Sequence, residues 1–441
     1  MRSLQDGIYY TKGSRPGQSM GIIFLRTNKS SRALEIGETI KRIWNTCNNL
    51  KKGILKDFKD NNISHPDSYR DLTILIGYSP KIFDLQGAFR KKPILFQEGL
   101  VFSEPMMGSS PIYTGSDLQY HEDVTENHAS NDDIIIQFIA ESSFITNQCI
   151  VEVWHELSES RNDAKNISLT KFYDGFRRSD NRNWMGFHDG LSNIKSEERK
   201  DVISINQSQV GPGDNWMVDG TFMAFIRIYV DLAKWWQVSR DQQEIMVGRD
   251  KVSGCPVTGI NETTGKIITM KGCPSPGTKE VTDEGNEIFR NHPKYGFQQL
   301  PPGVSDETLK FSHVGEMSRF TKDHVEQKLK YGIFRQGYEF LERIEAYPGL
   351  RAGLNFISFQ DDPRRLFNTI TNANMQTNNL KTSWTKESHV NPARLKINSY
   401  FRVAAAGIFF IPPRISDEIF PGSSIFFPNY NMKQVSNYWK R

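Results

Sequence analysis

Gly220-Thr221-Phe222-Met223-Ala224-Phe225-Ile226-Arg227-Ile228-Tyr229 is an apolar run interrupted by a single charge. It is rich in aromatic and β-branched residues and too short to cross a bilayer, so it reads as a buried strand. The residues that follow, Val230 to Val247, carry Leu232, Trp235, Trp236 and Ile245 and read as a helix. The same sequence of events stands far upstream. Ser19 to Arg26 (SMGIIFLR) is a strand. It leads into a helix over about Ser31 to Asp60, whose apolar residues Ile36, Ile40, Ile43, Trp44, Cys47, Leu50, Ile54 and Phe58 recur at helical spacing, with Ser30 or Ser31 as its cap.

A second echo runs through the chain. Asp133 to Ala140 (DIIIQFIA) is a strand before a helix near Ile145 to Leu157. Leu354 to Phe359 is a strand before a helix opened by Asp362-Pro363 and carrying Leu366, Phe367 and Ile370. Asp71 to Tyr78 and Gly407 to Ile411 add one strand each, and a charged loop is expected from the helix ending at Leu157 to about residue 186. Two copies of a β-α-β-β-α-β unit explain this repetition. The expected fold class is therefore α+β, with two ferredoxin-like domains whose antiparallel sheets are faced by helices. They would span residues 1–210 and 211–441, the second holding a Gly- and Pro-rich insert at about 253–306. A parallel doubly wound sheet ranks second, because no Gly-rich phosphate loop follows any strand.

Composition narrows the function. Lys and Arg number 55 against 51 Asp and Glu, a net charge of only +4, so nucleic acid is not an expected partner. No apolar stretch is long enough to span a membrane, and the first residues lack the apolar core of a signal peptide, which sets a cytoplasmic expectation. Of the four cysteines, Cys47 and Cys149 read as core thiols, and Cys255 and Cys273, each in Gly-Cys-Pro, as free loop thiols. There is no G-x-S-x-G and no H-E-x-x-H, and no two histidines lie at i,i+4. A site with several histidine ligands to zinc is disfavoured, and a single-histidine haem site stays open.

Three residues stand out. Asp189 lies between Gly186 and Gly190 in Gly186-Phe187-His188-Asp189-Gly190, where the flanking glycines let the backbone turn sharply and approach another group. On its own this would be a turn aspartate bonded to its own loop. His313, in FSHVG, is the best histidine for a ligand that must enter a pocket; His324 and His292 look solvated or turn-bound. Arg335, in GIFRQGY, would need an anion or a bound oxygen nearby to be more than a salt-bridge donor.

Taken together, these segments resemble the dye-decolourising (DyP-type) haem peroxidases. GFHDG matches that family's G-x-x-D-G motif. GTFMAFIRIYVDL with the later Gly248-Arg249 turn matches its second-domain strand, helix and turn. GIFRQGY resembles the segment carrying a distal arginine, and FSHV the segment carrying a proximal histidine. GLNFISFQDDP, GIFFIPP, DLTILIGYSPKIF and DIIIQFIAE match further strands.

The resemblance implies haem b with His313 as the axial ligand to its iron and Asp189 and Arg335 as distal catalytic residues. It further implies Arg319 as a propionate contact, and the pocket is expected to be walled by Leu354 and Phe356. It implies hydrogen peroxide and a small-molecule reductant, dye-like or phenolic, as partners; because Asp189 must be ionised to accept a proton, activity is expected to be best at mildly acidic pH. A homo-oligomer is compatible with it. The family's acidic partner to the proximal histidine has no counterpart in Lys396-Ile397-Asn398-Ser399-Tyr400-Phe401, so a neutral acceptor would donate less electron density through the imidazole. Two alternatives stay open: a haem-binding protein for iron release or haem handling, and a haem-free scaffold.

Overall fold

A computed structural model describes residues 2–10, 16–55, 69–93, 95, 132–159, 166–189, 193–194, 196–255, 257–260, 267–269, 312–313, 332–345, 349–363, 365 and 400–428. The first half holds β1 (Ser19–Thr27), α1 (Ala33–Lys51), β2 (Thr73–Tyr78), β3 (Ile134–Ala140), α2 (Ser143–Glu159) and β4 (Ile167–Phe176). After α3 (Ser196–Ile203), the second half begins with β5 (Thr221–Val230). It continues with α4 (Leu232–Trp235), α5 (Arg240–Val247), β6 (Phe334–Arg335), β7 (Tyr338–Arg343), β8 (Leu350–Gln360) and β9 (Phe401–Ile411). This is a mixed α+β fold of antiparallel strands faced by helices.

The strands lie in the order β7-β4-β1-β3-β2-β9-β5-β8-β6, and β7 also pairs with β8. The first half runs β4-β1-β3-β2, and the second runs β9-β5-β8 with β6 and β7 both on the far edge of β8, so the two echoes in the sequence correspond to one topology used twice. Because β7 touches both β4 and β8, eight strands close into a ring. Within each half the ladders are long: β1 and β3 pair from Ser19↔Ala140 to Leu25↔Ile134, and β5 and β8 from Val230↔Ala352 to Phe222↔Gln360. Each seam between the halves has a single matched pair, Glu339↔Phe176 and Phe410↔Tyr78.

Residues alternate across the ring wall. Met20, Ile22, Phe24, Ile135, Met223, Phe225, Ile357 and Phe409 fill the inside. Ile23, Leu25, Ile134 and Ile136 face outward and join one cluster with Ile36, Ile40, Ile43, Cys47 and Leu50 of α1; Ala224 and Ile226 of β5 also face outward. Near one end of the interior sits Arg227, 1% exposed. It donates to Asn355 Oδ1 at 2.7 Å and Glu342 Oε2 at 2.6 Å. Its guanidinium lies 3.5 Å from the Phe340 ring centroid and 4.1 Å from that of Tyr173. At the β2–β9 seam the Gln5 side chain acts as a strand in miniature. It donates to Ile76 O at 2.9 Å and Pro412 O at 2.8 Å, and accepts from Ile76 N at 2.9 Å.

Several expectations need correction. Residues 167–176 form β4, not loop; only every other side chain is covered there, so the apolar signal is diluted. The single helix over Val230–Val247 is two, because Ser239 caps a new start by accepting from Gln242 N at 3.4 Å. Ser31 does not cap α1, since its hydroxyl donates to Asn166; Arg32 N donates instead to Glu35 Oε2 at 2.8 Å. Cys255 is buried and disulfide-bonded, not a free loop thiol. It lies in a tight turn in which Asp250 N donates to Cys255 O at 2.8 Å. Cys47 and Cys149 are buried and free, as expected. Among the described residues of the insert, Val257–Ile260 and Ile267–Thr269 pair as a hairpin. Phe58, Cys273, Arg319 and the helix carrying Leu366, Phe367 and Ile370 lie outside the described residues. Among the described residues no helix is long and apolar enough to cross a membrane.

Candidate active site

The loop between β4 and α3 carries Asp189, and it is pinned from three sides. From within, Asp189 N donates to Asn181 O at 2.8 Å, and Gly186 turns at φ 89°, a conformation that favours glycine. From the α5 side, Arg182 donates to Val252 O at 2.9 Å and lies 2.8 Å from His188 Nε2, while Trp235 Nε1 donates to Met185 O at 3.3 Å. From the sheet, Trp184 N donates to Glu339 Oε2 at 3.2 Å and Trp184 Nε1 to Phe340 O at 2.9 Å. A carboxylate on a loop held this way has a defined position.

The same loop reaches Arg335. The Asn193 side chain donates to Arg335 O at 2.8 Å and accepts from Arg335 N at 3.1 Å, so one amide satisfies both backbone groups of that residue. Gly337 follows at the start of the β7 segment. A Cβ there would come within 3.0 Å of Leu354 Cδ1 and 3.3 Å of Asp189 Oδ2. Asp189 and Leu354 therefore flank the same glycine. Phe356, two residues along β8, shares the Leu354 face and is buried.

Electrostatics ties in the remaining groups. Burial pushes the His313 imidazole down to about 4, assisted by the Arg335 and Arg249 charges and opposed by Asp189. Arg335 is lowered by burial and raised by Asp189. Arg249 is brought down to about 10 by burial and by Arg335. By exposed area Arg335 and His313 are only partly buried, yet enough protein surrounds each that desolvation leads the shift. Asp189, Arg335 and His313, distant in sequence, thus occupy one neighbourhood with Leu354 and Phe356; Arg319 is outside the described residues.

Two members were given no site role from the sequence. Arg249, 6% exposed, is turned inward because Gly248 ends α5 in the left-handed conformation at φ 84°. The Gly-Arg pair after a helix was the available cue. Glu339, also 6% exposed, is pushed up to about 8 by burial and then by Asp189. A glutamate beside Tyr338 in a strand would ordinarily be read as solvated.

The donor set fits iron protoporphyrin, a flat macrocycle with two acid groups. His313 stays neutral, the form of imidazole that ligates iron. Two guanidinium groups, Arg249 and Arg335, stand against Asp189, and burial pushes Glu339 up to about 8, an arrangement that favours an anionic guest. Leu354 and Phe356 supply apolar surface, and the missing Cβ at Gly337 keeps the floor beside Asp189 low.

Comparison with known proteins agrees. The C-terminal family profile of Dyp-type peroxidases matches residues 180–416. Among solved structures, DtpA from Streptomyces lividans in an oxyferrous complex superposes with a TM-score of 0.62 at 17% identity, covering 96% of this chain and 98% of that one. A DyP-type peroxidase from Cellulomonas bogoriensis gives 0.62 at 16% identity, with 96% and 97% covered. DyPB from Rhodococcus jostii gives 0.54 at 14%, with 93% and 96% covered. The matched profile spans the Asp189 loop, His313 and Arg335, and the chain belongs to the DyP-type peroxidase family.

Proposed function

We propose that this chain is a haem-dependent peroxidase, built as two ferredoxin-like domains over residues 1–210 and 211–441. It would reduce hydrogen peroxide with electrons drawn from bulky dye-like or phenolic molecules. The observation that carries this reading is the convergence of the His313 imidazole, kept neutral by burial, the Asp189 carboxylate and the Arg335 guanidinium in one neighbourhood beside β8. Haem b, when bound, supplies the redox-active iron at which peroxide gains two electrons.

The chain's own residues have separable tasks. His313 would hold the iron through its imidazole. Arg249 and Arg319 would offer counter-charge to the acid groups of the macrocycle, and Leu354 and Phe356 would exclude water from the reacting side. Asp189 takes the proton from one peroxide oxygen and returns it to the departing oxygen, which leaves as water. Arg335 stabilises negative charge that builds on that oxygen as the O–O bond breaks. The pinned loop matters here because a base misplaced by about 1 Å can cost about 100-fold in rate.

The test is an absorption spectrum of the haem-loaded chain before and after one equivalent of peroxide. Asp189→Asn and Arg335→Leu should each keep the haem band and slow its oxidation by about 100-fold or more. His313→Ala should alter the band itself. If both distal variants react at the wild-type rate, the assignment of Asp189 and Arg335 is wrong.

A further inference from the structure

Glu339 is a carboxyl group that the mechanism above does not use. It lies opposite Leu354 in the β7–β8 ladder and opposite Phe176 at the seam with β4. Alternation places its side chain on the same face of the sheet as Gly337, the residue against which Asp189 Oδ2 rests. Its Oε2 accepts from Trp184 N at 3.2 Å, so it holds the start of the segment that ends at Asp189. The neighbouring charges are few. Asp189 faces it from the loop, Arg178 from the end of β4, and Leu354 and Phe176 contribute none. Arg177, also at the end of β4, is turned over the Tyr338 ring at 4.1 Å and donates to Gly337 O at 2.9 Å. Arg178 itself is paired with Asp180 at 2.8 Å.

We propose that Glu339 is a positioning residue for Asp189: a protonated, buried carboxyl group that anchors the catalytic loop and whose ionisation sets the alkaline limit of activity. Two carboxyl groups on one desolvated face do not both carry charge easily, and the more buried one keeps its proton. The direction of its shift, up to about 8, agrees with that geometry. Once Glu339 ionises, a second negative charge stands beside Asp189, on the side where negative charge must build on the peroxide oxygen. The inference rests on the peroxidase reading, and its test separates the two.

The rate of reaction of the haem-loaded chain with hydrogen peroxide is measured across the alkaline range in wild type and Glu339→Gln. If only the protonated form is competent, the wild-type rate falls about tenfold between about pH 7 and about pH 9. E339Q keeps a neutral acceptor for Trp184 N and cannot ionise, so its profile should be flat to within about twofold over that range, whatever its absolute rate. Infrared spectra of the full chain with labelled glutamate carboxyls supply a second readout. At neutral pH a protonated-acid carbonyl stretch should be stronger in wild type than in E339Q, whose remaining signal belongs to Glu418, pushed up to about 7 by burial. An identical band in the two overturns the proposal. A wild type that reacts with peroxide but whose alkaline fall survives in E339Q overturns the role of Glu339 alone. A wild type that never reacts with peroxide overturns the peroxidase reading and this role with it.

Discussion

Gly337→Ala tests how tightly Asp189 is placed. The added methyl would sit 3.0 Å from Leu354 Cδ1 and 3.3 Å from Asp189 Oδ2, both inside ordinary contact distance. Gly337 does not hold a left-handed backbone, so alanine adds crowding without backbone strain. Leu354 is met at the tip of a flexible side chain and can move aside. The Asp189 carboxylate must retreat by a few tenths of an ångström on a loop pinned at Asn181, Glu339 and Val252. Overpacking costs about 1–3 kcal/mol and the loss of glycine entropy in the unfolded chain returns about 0.4–1 kcal/mol, so the net destabilisation is about 1 kcal/mol. In a chain of this size that is a melting shift on the order of 1 °C. The kinetic effect should be larger. A misplacement of about 1 Å can cost about 100-fold, so a few tenths should slow the peroxide reaction roughly three- to tenfold. Rapid-mixing absorbance of the haem-loaded chain measures the rate, and a thermal melt controls for folding. Gly211→Ala, where a Cβ would meet nothing within 4 Å, serves as the neutral comparison. A G337A enzyme that reacts like wild type would refute the claim that this contact fixes the carboxylate.

Three further outcomes are expected. Asn193→Ala removes both side-chain bonds to the Arg335 backbone and should cost about 1–3 kcal/mol in a urea titration, with slower peroxide turnover but retained haem; an unchanged midpoint would count against it. Arg227→Ala leaves Glu342 and Asn355 without their donor and empties space beside Phe340. About 3 kcal/mol of stability should be lost, and less in Arg227→Met, which keeps the stem packed; equal losses would show that packing contributes nothing. Stability should also fall as pH rises. Glu339 binds its proton up to about 8 when folded but releases it in the ordinary carboxylate range when unfolded. The contribution is therefore full below the unfolded value, erodes between about pH 5 and about pH 8, and is gone above, with a ceiling of roughly 5 kcal/mol. E339Q should lack that slope in unfolding titrations at several pH values; a parallel slope would refute the linkage.

Legibility in the sequence followed burial. β1, β3 and β5 are buried along nearly their whole length on both faces, so they appear as near-continuous apolar runs and were readable. β4 is covered on one face only and carries Lys171, which reaches Asp132 at 3.0 Å, and Asp174, whose carbonyl accepts from Asn355. Its charges disguise it as loop. Asp189 and Arg335 could be singled out only in company: alone, their motifs read as a turn aspartate and a salt-bridge donor, and only the ordered set of segments raises them above that. Glu339 was not, because what buries it is closure of the ring, which the nearby residues do not encode; Arg249 stood out only through its place after Gly248 at the end of α5. Arg227 shows the same limit: a charge inside an apolar strand gives no hint that two aromatic rings and a carboxylate await it across the barrel.

The Gln5 amide has a consequence for how this protein can be handled. The first residues of a domain are commonly trimmed or tagged without penalty. Here residue 5 replaces peptide groups that neither β2 nor β9 supplies at their junction, joining Ile76 to Pro412 through three hydrogen bonds. Proteolytic trimming past this position would unlatch the two lobes on the side opposite the catalytic loop. Loss of activity after nicking would then report loosened lobe docking, with every catalytic side chain still present.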